Sequence, residues 1–348
     1  MGQHLSETIA EYLASCSSGG DGKSTIRNKR RTLDHFLTVV GNIQTRNVAP
    51  QHVDTFFAAM QAKHHAPGTL NNHLFTLRHY FRWCSQRRYR PVGDDPSAGR
   101  RPFKTPERRR LIVPRSDFAR LLDAAEHPRD RIVVALGLYL FLRQSEIASL
   151  KLSDVDLDGG TVWITVHKTG QIDPMPITKQ LDKELRRWLS WYAIDAGELQ
   201  LDWYLCPAKK GARFVGTGQR KLMRVQTGAE TLRPTAKMRH VEDCAKRALV
   251  KAGFPIRDAD GKSTMEGIHT LRRSGARALF DDRVDNGGYD GIGRALQAML
   301  HHKNFTMTER YLQIDLDRKR RDEMLRGQSM FTEVDMTNVV ELRRDAVQ

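Results

Sequence analysis

A mainly helical protein with a small β-sheet, built as a helical domain followed by a mixed α+β domain, is the fold class predicted by this 348-residue sequence. Three observations carry the expectation. Apolar residues recur at helical spacing through the first ninety positions. A stretch rich in proline and arginine, 91–110, then breaks the pattern. Beyond it, one β-branched and aromatic run, 161–166, stands among further helical segments. The chain is too long for one ordinary core and long enough for two. The breaks suggest a helical domain over 1–92, a basic linker over 93–110, a mixed domain over 111–330 and a tail over 331–348.

Within the first domain, Leu5–Ser15 carries Leu5, Ile9, Tyr12 and Leu13 on one helical stripe, and 16–22 is a loop by composition. Ser24 or Thr25 can cap a second helix bearing Leu33, Phe36, Leu37 and Val40, which ends near Gly41. A third, Pro50–Gln61, aligns Val53, Phe56, Phe57 and Met60. After Ala66-Pro67-Gly68, Thr69 opens a fourth, with Leu70, Leu74, Leu77 and Phe81 inward. Arg78, Arg82, Arg87 and Arg88 lie on or beside it; a contact surface for an anionic partner and an ordinary solvated face are the two readings. In the linker, Pro91, Pro96, Pro102 and Pro106 exclude helix. Arg100, Arg101, Lys104 and Arg108-Arg109-Arg110 place six cations in the same span. A segment laid along a phosphate backbone satisfies both features, as does a plain disordered linker.

In the second domain Ser116 can cap a helix through Leu122, and Arg131–Leu150 reads as one long helix, apolar nearly all round and hence buried. Asp158-Gly159-Gly160 is a turn, Thr161–Val166 a strand, Thr169-Gly170 a second turn and Ile172–Ile177 the returning strand. Helices are expected at about 178–193, 234–252, 268–280, 290–300 and 306–311, with 285–289 as a loop insertion.

Charge narrows the function. Lys and Arg number 57 against 41 Asp and Glu, a net +16, and residues 1–110 hold 18 basic and 8 acidic side chains. Solubility would be met by either sign, so this balance favours a polyanionic partner. No apolar run approaches the ~20 residues of a membrane span, and no basic region followed by an apolar stretch opens the chain. A membrane partner is therefore not expected. Cys16, Cys84, Cys206 and Cys244 lie too far apart for a zinc knuckle or disulfide framework, which suits a reducing cytoplasm. Neither a Walker loop nor a carboxylate cluster for two metals is visible, so no cofactor and no metal is expected.

Five pieces remain, in order: Leu142-Arg143-Gln144-Ser145-Glu146-Ile147; His167-Lys168-Thr169-Gly170 after a strand; His269-Thr270-Leu271-Arg272-Arg273; Leu300-His301-His302-Lys303; and Thr308-Glu309-Arg310-Tyr311, whose tyrosine lies nine residues after His302. Their order and spacing resemble the tyrosine recombinases of the phage-integrase family, and the first four helices resemble that family's core-binding domain. Phe141 and His301 depart from it, standing where the family usually has glycine. The resemblance implies a catalytic set of Arg143, Lys168, His269, Arg272, His302 and the nucleophile Tyr311, with Glu146 supporting Arg143.

The residue types suit the chemistry. Attack on a phosphodiester builds charge on the phosphoryl oxygens, and two guanidiniums can each offer paired hydrogen bonds to them. A phenol with pKa near ~10 needs a base or a cation to attack at neutral pH. His269 and His302 both supply imidazoles; the family sets His269 nearer the base role and His302 nearer the phosphate, while the residues alone leave the two roles open. Lys168, at a turn, is implied as the general acid for the departing 5′-oxygen, ahead of Lys179 and Lys209-Lys210. Of eight tyrosines, Tyr311 alone follows both histidine boxes.

By resemblance, the two domains clamp duplex DNA at core sites, and four protomers exchange strands through a Holliday junction in the bacterial host cytoplasm, with directionality or host bending factors as possible accessories. The first core-binding-like helix starts near Leu5, so no arm-site domain is expected before it. Phage or mobile-element integration and excision leads over chromosome-dimer resolution, because the boxes deviate from the housekeeping pattern. Rival readings are a type IB topoisomerase and a non-catalytic DNA-binding regulator.

Overall fold

The computed structural model describes residues 2–106, 110–166, 170–217, 221–256, 264 and 266–314, without the side chains of 210–230 and 284–290. The chain divides into two compact units, 1–108 and 109–348.

The first unit holds four helices, α1 (Leu5–Ser18), α2 (Lys23–Val40), α3 (Pro50–Ala62) and α4 (Pro67–Gln86). Proline opens α3 and α4, where its missing N–H costs nothing and its fixed φ suits the first turn. Their apolar stripes meet in one core containing Leu5, Leu33, Phe36, Phe56, Phe57, Leu74, Leu77 and Phe81. Thr8 joins two helices and a loop inside it: its hydroxyl lies 2.6 Å from that of Tyr80 and 2.8 Å from that of Thr45. The chain after α4 stays on this unit. The Asn71 amide bonds both the N–H (2.7 Å) and the carbonyl (2.9 Å) of Phe103, so the extended segment is docked through its backbone.

In the second unit, α5 (Phe118–Asp123), α6 (Pro128–Tyr139), α7 (Gln144–Ser149), α8 (Lys179–Ala196) and α9 (Val241–Lys251) surround a core built on Val133, Leu136, Leu185 and Trp188. β1 (Val155–Asp156), β2 (Thr161–Val166) and β3 (Gln171–Pro176) form an antiparallel sheet in that order; Val162 faces Met175 and Ile164 faces Asp173. A second hairpin pairs β4 (Pro207–Thr217) with β5 (Lys221–Lys237). The chain ends its described course with α10 (Ile268–Met299) and α11 (Phe305–Leu312).

Three expectations are corrected. The single helix over 131–150 is two, α6 and α7, separated at 140–143. The 285–289 insertion is not a loop, since α10 runs unbroken from 268 to 299. Residues 234–237, expected to begin a helix, end β5. Among the described residues no helix is long and apolar enough to cross a membrane.

Candidate active site

The break after α6 builds the first part of the site. Phe141 adopts φ 54°, in the left-handed region that disfavours a Cβ, and turns the chain so that its carbonyl accepts from the Arg272 guanidinium. Arg143 is then the N-cap of α7, not a residue within a helix. Glu146 lies three positions on and is buried. Its carboxylate accepts the Arg143 N–H (2.7 Å) and Arg143 Nη1 (2.9 Å), and lies 3.7 Å from Arg272 Nη1. One carboxylate thus caps a helix and orients two guanidiniums.

α10 supplies His269 and Arg272 one helical turn apart. Its N-terminus is fixed by Glu242, which accepts the Ile268 N–H at 3.2 Å. The helix crosses α6 closely because Gly275 faces the Leu138 carbonyl: a Cβ at 275 would overlap that backbone. Arg272, only 2% exposed, reaches the Leu300 carbonyl with Nη2 at 2.6 Å, and Arg143 Nη2 reaches the same oxygen at 2.9 Å.

Leu300 is the C-cap of α10, and His301 adopts φ 51°, the second left-handed residue of the site. Both positions where glycine was expected thus keep a glycine-like backbone while carrying a side chain. His302 follows, with Nδ1 3.0 Å from the buried Thr308 hydroxyl and its ring edge-on to Tyr311 at 5.3 Å between centroids. Asn304 caps α11 by accepting the Met307 N–H at 3.0 Å. The Tyr311 hydroxyl donates to the His269 carbonyl at 3.1 Å, and the Arg273 guanidinium lies 5.9 Å from the Tyr311 ring centroid. Arg277 donates to the carbonyls of Leu312 (3.1 Å) and Gln313 (3.3 Å), fixing the end of α11.

Electrostatics follow from this crowding. Burial, then the charges of Arg272 and Arg143 and the His301 ring, pushes the His302 pKa down to about 4, so the ring is neutral at pH 7. His269 is lowered too, first by desolvation and then by the charges of Arg272, Arg143 and Arg273, with Glu242 opposing. Burial raises Tyr311 while Arg272, Arg273 and Arg143 pull it back towards phenolate. Burial also brings Arg272 down to about 10, which leaves it protonated at neutral pH.

Of the expected site residues, Arg143, Glu146, His269, Arg272, His302 and Tyr311 meet in this pocket. Lys168 lies outside the described residues. Arg273, Thr308 and the Leu300 carbonyl belong to the same pocket and were not anticipated; a backbone oxygen leaves no mark on a sequence. Beside Arg143 and His269 runs an open trough of about 1470 Å³, lined by eight Lys or Arg, among them Arg233, Lys237, Arg239 and Arg247, against one carboxylate, Asp243. In the helical unit Arg82, Arg87, Arg88, Arg101 and Lys104 are exposed. Arg78 donates to the Arg100 carbonyl at 2.5 Å, while Arg100 pairs with Asp54 at 2.6 Å and lies 4.3 Å from the Phe57 ring centroid. Among the described residues no group of three or more His, Cys, Asp or Glu could hold a metal ion.

The chain is similar to known proteins over most of its length. Residues 113–318 match the model of the phage integrase family, and residues 9–88 that of the phage integrase N-terminal SAM-like domain. The chain is 26% identical over 317 residues to tyrosine recombinase XerA of Thermococcus kodakarensis, covering 90% of this chain and 93% of that one. Against tyrosine recombinase XerC of Chromobacterium violaceum it is 24% identical over 322 residues, covering 89% and 91%. Similar folds include a lambda integrase (75-356) dimer bound to a COC′ core site, with TM-score 0.66, 16% identity and 89% and 95% coverage. A lambda integrase tetramer bound to a Holliday junction gives 0.61, 16%, 87% and 78%, and the Tn1549 transposon integrase with transposon right end DNA 0.64, 15%, 92% and 98%. The chain belongs to the phage integrase family, whose members are tyrosine-type site-specific DNA recombinases.

Proposed function

We propose that the protein cleaves and rejoins DNA through a 3′-phosphotyrosine at Tyr311, in the integration or excision of a phage or mobile element. Arg143 and Arg272 hold the non-bridging oxygens of the scissile phosphate. His269 is assigned the phenolic proton, and His302 a hydrogen bond to a phosphoryl oxygen. As Tyr311 Oη bonds to phosphorus, the P–O5′ bond breaks and Lys168 protonates the departing 5′-oxygen. A 5′-hydroxyl from a partner strand reverses the step, so the bond energy held in the phosphotyrosine replaces ATP.

The observation that carries this reading is the single pocket shared by the Tyr311 hydroxyl, two guanidiniums and two neutral imidazoles. Duplex DNA at core sites is the partner, engaged by the basic trough and by the exposed cations of the helical unit, Arg82, Arg87, Arg88, Arg101 and Lys104; Arg78 and Arg100 support the docked segment. A homotetramer on two sites is supported by the fold shared with lambda integrase. The relatives in sequence bear Xer names, whereas the departures Phe141 and His301 favour the mobile-element role.

The test is capture of protein-linked DNA from a pool of host genomic fragments, followed by mapping of the joined phosphates. The wild-type chain yields one recurring site. Tyr311→Phe yields none while still binding DNA; an adduct that survives this change identifies another nucleophile. Binding with no adduct from the wild-type chain would make it a regulator, and relaxation of DNA without a recurring site would make it topoisomerase-like.

A further inference from the structure

We propose that His301 and Asp173 form a latch that holds the β2–β3 hairpin against the catalytic pocket during cleavage, which makes His301 a positioning residue for protonation of the leaving group. The proposal rests on the reading of Lys168 as general acid.

Four observations carry it. His301 sits in the left-handed region, a backbone state that glycine tolerates and a side chain with a Cβ resists, so a side chain kept there calls for a reason. Its Nε2 lies 2.8 Å from Asp173 Oδ2, 128 residues away in sequence. Its Nδ1 is buried without a partner, so the ring's polar commitment is to Asp173. His301 also stands between Leu300, whose carbonyl accepts from both site arginines, and His302, which contacts Thr308 and Tyr311.

Asp173 lies on the half of β3 nearest the turn. Beyond Met175, which is buried, β3 runs outward through Asp173 to Ile172, 62% exposed, and to Gln171, also exposed. On β2 the alternate residues Val162, Ile164 and Val166 are buried, so packing holds that strand to its end, whereas the outer part of β3 is exposed and the His301–Asp173 pair ties it to the pocket. The pairs Thr165–Ile172 and Val166–Gln171 lead from Asp173 to the ends of the strands, between which the sequence carries Lys168. In the first transfer P–O(Tyr311) forms, P–O5′ breaks and one proton must reach O5′. A hairpin free to drift by an ångström would deliver that proton late, while the arginines and Tyr311 remained in place.

A sulfur-substituted substrate separates these roles, because a 5′-thiolate departs without being protonated. The full-length protein is given nicked duplexes bearing the mapped site, with either oxygen or sulfur at the scissile 5′ bridge. His301→Gly fits the backbone it inherits, and Asp173→Ala removes the acceptor. Each is expected to slow cleavage of the oxygen substrate about tenfold or more while holding the sulfur substrate within roughly twofold of wild type. The double variant should be no slower than the worse single one, and His301→Asn, which tolerates the left-handed region and keeps a donor, should recover part of the rate. Unchanged oxygen-substrate cleavage in His301→Gly, equal slowing on both substrates, or multiplied defects in the double variant would each overturn the latch. Lys168→Ala serves as the separate control. Equal slowing of both substrates by that variant rejects the acid assignment, while the latch is still judged by the oxygen-to-sulfur ratios of the other two.

Discussion

Arg272 is a cation with 2% of its surface exposed, and such burial is tolerated only where every donor finds a partner. The Phe141 and Leu300 carbonyls and the Glu146 carboxylate provide partners, and their geometry suits a fork rather than a point charge. Arg272→Lys is therefore expected to lower the rate of adduct formation by a factor of about 100 or more with DNA affinity nearly kept, read by single-turnover cleavage on the mapped site. A loss of less than tenfold would show that the fork is dispensable. His302 offers a second check at this scale. Its pKa is pressed from the ordinary imidazole value to about 4, so the folded state binds this proton less readily than the unfolded chain. Its contribution to stability is complete above the unfolded value, ~6.5, and is lost as pH falls from there towards 4. In NMR titration its ring resonance should show no inflection between pH 7 and 5, whereas an inflection near 6.5 would mean an open, solvated ring.

The crossing of α6 and α10 turns those residues into a site, and it depends on a glycine. Gly275 lies against the Leu138 carbonyl, so a methyl group there has no flexible side chain to displace and must move a helix. Gly275→Ala is expected to destabilise the second unit by about 1–3 kcal/mol, or more if the helices cannot separate, and to lower cleavage with it, since Arg272 lies one turn away. Denaturant unfolding of the variant measures this; an unchanged midpoint would show that the crossing can relax. The same elements show what a sequence can disclose. The stripes of α1 to α4 and the strands β2 and β3 were legible because one face of each packs on a core, which writes a period into the residues. The gap between α6 and α7 was not, because the apolar run 132–142 continues past the end of α6 and the break answers a tertiary demand, the carbonyl that Phe141 turns towards Arg272. α10 was divided in two at Asp285–Tyr289, whose glycines and asparagine favour a turn locally. Packing on both sides of that stretch, through Ala276 and Phe280 before it and Leu296 and Leu300 after it, outweighs the local preference. The chemical groups of the pocket were legible because few residue types can do their work, while Thr308 and the Leu300 carbonyl act through positions that many sequences could supply.

At the scale of the whole molecule, the net charge of +16 is not spread as solubility alone would spread it. In the second unit, cations gather along the trough beside Arg143 and His269, and several of them are already constrained: Arg247 is paired with Asp130 at 2.6 Å, and Arg129 donates to the Pro207 carbonyl at 3.1 Å. Arg233, Lys237 and Arg239 are exposed, so they are well placed to meet phosphate, and the two arginines can do so with paired donors. Counterion release then gives a quantitative expectation. Affinity of the full-length protein for duplex DNA should fall as a power of salt concentration, each phosphate contact adding about 0.9 to the slope of log K against log salt. Arg233→Ala with Arg239→Ala should reduce that slope by about 2 and weaken specific and unrelated duplexes by similar factors, because phosphate contacts position a strand without reading its bases. Fluorescence anisotropy across a salt series reads both quantities. A slope left unchanged by the pair would place the DNA away from the trough, and a loss confined to the mapped site would mean that these two side chains read base edges.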